Sequence, residues 1–124
     1  MKYSILLVAF SFLLLSNSDC SKKSSSIIYH GKLEIKGICM NYTISMQEDN
    51  INPDLVVSNW TDPTTGNNYQ NVFKLGSPCT FPAEINQGDE FDFIVDSSPK
   101  QDCAVCLAFY PTPEKSLAIK VVKK

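Results

Sequence analysis

The chain contains no arginine; all eleven of its basic residues are lysine. Arginine is the usual planar fork for phosphate and for guanine edges, and no lysine cluster here is interleaved with aromatic residues, so nucleic acid is not an expected partner. Histidine is almost missing too. The single one, His30, lies beside a polar spacer with no Ser-His-Asp arrangement in view, and it reads as a surface residue. No window of ten residues repeats its apolar positions at helical spacing, and there are no internal repeats. A calcium loop is lacking as well: Glu90, Asp92 and Asp96 fall beside Phe91, Phe93 and Val95 in strict alternation, which makes them the solvated face of a strand. Lys120, Lys123 and Lys124 read as a solvated strand end rather than a membrane patch. Neither an enzyme nor a cofactor is expected on these grounds.

What is present begins with an address. Lys2 precedes an apolar run from Ile5 to Leu15 broken only by Ser11, the pattern of a secretory signal. As a helix those residues rise ~16 Å, about half of a hydrocarbon core, too little for a permanent span. Ser16 and Ser18 stand at the minus-three and minus-one positions for an ordinary cut before Asp19. The stretch LLLSNSDCSKKSSS also resembles the leader of a bacterial cell-envelope lipoprotein, in which the cysteine after the cut receives lipid and a Ser/Lys tail follows as a tether. The resemblance covers residues 1–26 and implies lipid attachment at Cys20 and a membrane partner through that anchor. Cysteine parity agrees with it, because five cysteines leave an odd one in an oxidising compartment and lipid on Cys20 leaves four. The expected organisation is a signal peptide over 1–19, a lipidated cysteine and flexible spacer over 20–28, and one domain over 29–124.

The domain reads as all-β, since period-two stretches of β-branched and aromatic residues alternate with turn signals. A long first strand is expected from about Tyr29 to Met46, with a bulge at Gly37 where the apolar parity switches from Leu33 and Ile35 to Ile38, Met40, Tyr42, Ile44 and Met46. Further strands are expected over Leu55 to Trp60, Tyr69 to Leu75, Phe91 to Val95, Cys103 to Tyr110 and Leu117 to Val122. About six strands with a long bulged first one look like the small, partly closed barrel of the OB fold. An immunoglobulin-like β-sandwich is the alternative.

Cys39, Cys79, Cys103 and Cys106 are then expected to form structural disulfides. The CAVC run is the spacing of redox and zinc sites, but a redox pair opens a helix, and here LAFYPTP follows, β-prone and ended by prolines. Zinc needs four convergent ligands, and the chain has one such knuckle only. Strand parity suggests the pairing: if Val105, Leu107 and Phe109 face the core with Cys103, then Cys106 points outward with Cys39, and Cys79 is left for Cys103. No pair can bridge 103 and 106 on a strand, where Cα atoms three apart lie about 10 Å from each other.

The function expected from these readings is a non-enzymatic binding or structural role for a tethered domain of the cell envelope. Trp60, Tyr69 and Tyr110 are candidate contact residues for a protein or glycan ligand. A thiol-redox or metal-binding role for Cys103 and Cys106 is one alternative. Another is a secreted glycoprotein, if the source is eukaryotic, modified at Asn41-Tyr42-Thr43 or Asn59-Trp60-Thr61.

Overall fold

The computed structural model describes residues 26–124; the leader, Cys20 and most of the spacer lie outside the described residues. Seven strands form one sheet: β1 (Ile28–Lys36), β2 (Tyr42–Met46), β3 (Val57–Thr61), β4 (Asn68–Leu75), β5 (Glu90–Val95), β6 (Ser116–Leu117) and β7 (Ile119–Lys123). The hydrogen-bonded order is β3-β4-β2-β1-β5-β7, and β6 pairs with β4. Every pairing is antiparallel except β4 with β6.

The all-β class therefore follows the alternation seen in the sequence, and the sheet is not closed as a continuous ladder. One edge of β4 bonds β2, whereas the other bonds β3 as far as Val72 and then β6 through Lys74–Ser116 and Leu75–Leu117. The chain continues from β6 through Ala118 into β7, which bonds β5. Those two residue pairs, with the Gly76 amide on the Leu117 carbonyl and the Ser77 hydroxyl bonded to both the amide and the carbonyl of Ile119, tie the end of β4 to the β6–β7 segment.

That core is built by Leu33, Ile44, Phe73, Leu75, Ile85, Phe91, Phe93 and Ile119, all buried. Phe93 sits at its centre, with ring centroids 5.7 Å from Tyr29, 5.8 Å from Phe73 and 6.0 Å from Phe91. Gly31 makes room for it: a Cβ there would lie 2.8 Å from the Phe93 ring. A side chain at that position would push into Phe93 of β5 and crowd Ile44 of β2.

Three expectations are corrected. The long first strand is a hairpin, because Gly37 marks a reversal and not a bulge. A 3₁₀ turn over Ile38–Met40 follows it, with Cys39 and Met40 at φ of 55° and 58°. Left-handed backbone at two successive residues turns the chain back on itself, which leaves Ile38 59% exposed rather than in the core. A register shift of β1 against β2 does occur, but between Leu33 and Ile35. Residues 104–110 form no strand at all. Leu107 is 100% exposed and Phe109 80%, the reverse of the expected core face. The physical reason is that the core is already filled by Phe81, Phe91 and Phe93, whose rings pack edge to face and at a tilt, so the segment crosses the outside of the sheet as a strap. Finally, Thr43, which strand parity sets on the outer face with Cys39, is buried, as is Ser45 two residues on.

Candidate binding cleft

The strap is held at four points, supplied by three separate turns. Cys103 bonds Cys79, in the 3₁₀ turn Pro78–Thr80 after β4, with Cα atoms 5.4 Å apart. Cys106 bonds Cys39 in the β1–β2 turn, with Cα atoms 5.1 Å apart. The amide of Asn41 in that turn donates at 2.9 Å to the Ala108 carbonyl and at 2.8 Å to that of Ile38. Tyr110 ends the strap, where its hydroxyl donates to the Asp62 carboxylate at 2.7 Å. The ring of Tyr110 lies against Gly37, at which a Cβ would stand 3.2 Å from it and 2.4 Å from the Asn41 carbonyl. The pairing of cysteines coincides with the one expected from the sequence, but the strand parity that led to it does not exist. Cys39 is on a turn and both strap cysteines are exposed.

Between strap and sheet lies an open cleft of about 540 Å³. Met40 and Asn41 of the turn, Lys74 and Leu75 at the end of β4, and Leu107 and Phe109 of the strap contribute to its walls. Lys74 is the one charged lining residue. This open surface, lined by apolar and polar groups in similar measure, carries no nucleophile with a base beside it. Among the described residues no group of three or more His, Cys, Asp or Glu stands close enough together to hold a metal ion. Cys103 and Cys106 are each bonded elsewhere and form no dithiol with each other.

The three candidate contact aromatics are not equivalent. Trp60 and Tyr69 are a cross-strand pair on the β3–β4 hairpin, half-buried, with ring centroids 6.1 Å apart. Tyr110 is tied into the structure by Asp62, a residue that reading the loop TDPTTGNN as a turn alone passes over. Asp62 is buried. Burial pushes its carboxyl up, but donors from the Tyr110 hydroxyl, the Thr64 amide and the Thr65 hydroxyl outweigh that and hold it below its ordinary value of 3.8. A depressed carboxyl stabilises the fold above its unfolded pKa and loses that contribution as pH falls through the lower folded value. Tyr110→Phe is expected to release the end of the strap and to lower the melting temperature by a few degrees, with the difference from wild type shrinking in acid below about pH 4. Thermal melts of both proteins between about pH 3 and pH 7 measure it, and equal melting temperatures at neutral pH would show that the hydroxyl holds nothing.

His30 sits away from the cleft, at the start of β1, and its side chain is 44% exposed as the sequence suggests. It is nevertheless partnered: Nδ1 lies 2.8 Å from Asp92 and Nε2 3.5 Å from Glu90 across the β1–β5 ladder, while its amide donates to Glu48. The bond to Asp92 raises its pKa above 6.5 against a smaller effect of burial, and the charge of Asp92 and Glu90 adds to the rise. A raised folded value stabilises the protein below the unfolded pKa and is lost as pH rises through the folded one. The melting temperature is therefore expected to fall modestly between pH 6 and pH 8, and His30→Gln to remove that component. Identical pH profiles for the two proteins would count against the ion pair.

The glycosylation patterns also separate. Asn59 is exposed on β3, whereas the Asn41 amide is occupied by its two carbonyl partners and Thr43 of the same pattern is buried. Comparison with protein-family models, with characterised proteins and with solved structures finds no match.

Proposed function

We propose that the protein is an exported, membrane-tethered domain that binds a partner without chemical turnover. The observation that carries this reading is the strap. Two disulfides hold Leu107 and Phe109 out in solvent beside a cleft, and ordering large apolar side chains there makes physical sense only if something covers them. Paired cysteines suit an oxidising compartment, in agreement with the secretory pattern of the first residues. The lipoprotein-like leader supplies the tether at Cys20, and β1 supplies distance: its nine residues carry the chain about 30 Å from the spacer to the turn that anchors the strap. The turn that anchors Cys106 of the strap thus stands at the far end of β1 from Ile28, the first residue of the sheet.

Fractionation tests the tether. Wild-type protein is expected in the membrane fraction and Cys20→Ser in the soluble exported fraction; the same distribution for both rejects lipid attachment. Thiol counting on the same material addresses the redox alternative, which needs Cys103 and Cys106 free or joined to each other.

A further inference from the structure

The strap has the properties of a strand that lacks its neighbour. From Ala104 to Pro113 the chain makes no turn or bend, and among the described residues no backbone-to-backbone hydrogen bond involves residues 97–114. Its apolar residues nonetheless alternate as in a strand: Val105, Leu107 and Phe109 share one parity and Ala104, Cys106 and Ala108 the other. The Ala108 carbonyl is bonded by Asn41 toward the body of the domain. In an extended chain successive peptide groups face opposite edges, so those of 105, 107 and 109 face outward, with nothing to bond. Of the sheet's two edge strands, β3 is uncharged and β7 is defended by charge. Edge strand β7 carries Lys120 and Lys123, charges of the kind that discourage pairing with another chain, whereas no charged residue occurs between Asp102 and Glu114.

We propose that this open edge pairs with a second copy of itself, as antiparallel strands related by a two-fold axis at Leu107. Self-pairing is favoured over a foreign strand by the order of side-chain sizes. Reversed about Leu107, the segment sets Leu107 opposite Leu107 and Val105 opposite Phe109, so each of these cross-strand pairs is apolar and the largest side chain, Phe109, meets the smaller Val105. The outward peptide groups of 105, 107 and 109 meet their like in the hydrogen-bonded positions of an antiparallel ladder. The absence of charge over this segment lets two copies of a net-negative protein approach without like charges facing each other at the contact. Pro111, which has no N–H to give, ends the ladder on one side. The disulfides keep the edge ordered before pairing, which lowers the entropy cost of association.

Sedimentation of the full chain carrying Cys20→Ser, which dispenses with detergent, tests this. An interface of a few strand residues belongs to the weak class, so the mean mass is expected to climb from one copy toward two between about 10 µM and 1 mM. Leu107→Lys places two ammonium groups opposite each other and Leu107→Glu two carboxylates; each variant alone should weaken pairing at least tenfold. Because position 107 faces itself, an equimolar mixture of the two should recover it. Since Leu107 is fully exposed, all three proteins should melt together, which separates loss of pairing from loss of fold. A mass that stays at one copy up to 1 mM overturns the proposal and leaves the strap to a different protein. Pairing that survives in either charged variant alone, or that fails to return in the mixture, overturns the two-fold register.

Discussion

Loss of the Cys39–Cys106 bond, by Cys106→Ala or by reduction, is expected to lower the melting temperature by roughly 15 to 30 °C. The bond joins residues 67 apart in sequence, and freeing so long a loop in the unfolded chain costs about 4 kcal/mol on chain-entropy arguments. Single domains of this size have only about 5 to 15 kcal/mol in total. The second bond, across 24 residues, contributes about 3.5 kcal/mol on the same basis, so full reduction is expected to unfold the protein near body temperature. Calorimetry with and without reductant measures both, alongside thiol titration in denaturant to show that the untreated protein has no free thiol among the four. A melting temperature insensitive to reductant would mean that the strap is an ornament on a domain stable without it.

Phe93→Ala is the second change of that size, and its contrast with Leu107→Ala is what makes it informative. Phe93 is buried against Tyr29, Phe73 and Phe91, so truncation removes an aromatic ring from the middle of the core and is expected to cost about 3 to 5 kcal/mol. Leu107 is an equally apolar residue in a stretch of equal β-propensity, yet with its side chain wholly in water Leu107→Ala is expected to stay within about 0.5 kcal/mol of wild type in the monomer. Denaturant melts at low protein concentration give both numbers. A large loss at Leu107 in dilute solution would place the strap inside the core, where its parity suggested it belongs.

That contrast also explains what could be read beforehand. β5 was legible because its first four residues alternate cleanly, Phe91 and Phe93 inward and Glu90 and Asp92 outward, although Val95, on the face of Phe91, is exposed. β2 was legible on one face only, that of Tyr42, Ile44 and Met46, because its other face is covered too and Thr43 and Ser45 look solvent-facing to any argument from polarity. The β1–β2 hairpin hid behind a change of parity at Gly37, which a bulge and a reversal both produce; only the left-handed backbone at Cys39 and Met40 decides between them, and neither residue type announces it. The strap was misread for a more general reason. β-propensity reports what a side chain tolerates, and not whether a ladder partner is at hand. The cleft was invisible because its walls come from residues 40, 74 and 107, brought together by two bonds whose existence, but not whose geometry, cysteine arithmetic implies. Asp62 was missed because nothing in a hairpin loop tells that another segment will close over it.

The two disulfides are nested: Cys79–Cys103 lies wholly within the loop closed by Cys39–Cys106. Kinetics and connectivity are therefore at odds. A chain emerging N-terminus first into an oxidising space presents Cys39 with Cys79 long before Cys106 arrives, and the closest thiols in sequence, Cys103 and Cys106, are also a wrong pair. Bonds made in order of appearance are all incorrect, and reaching the native set requires thiolate attack on an existing disulfide, which takes seconds to hours without a catalyst. Yield of this small domain should thus be governed less by an oxidant than by a disulfide-shuffling partner in the compartment where it folds.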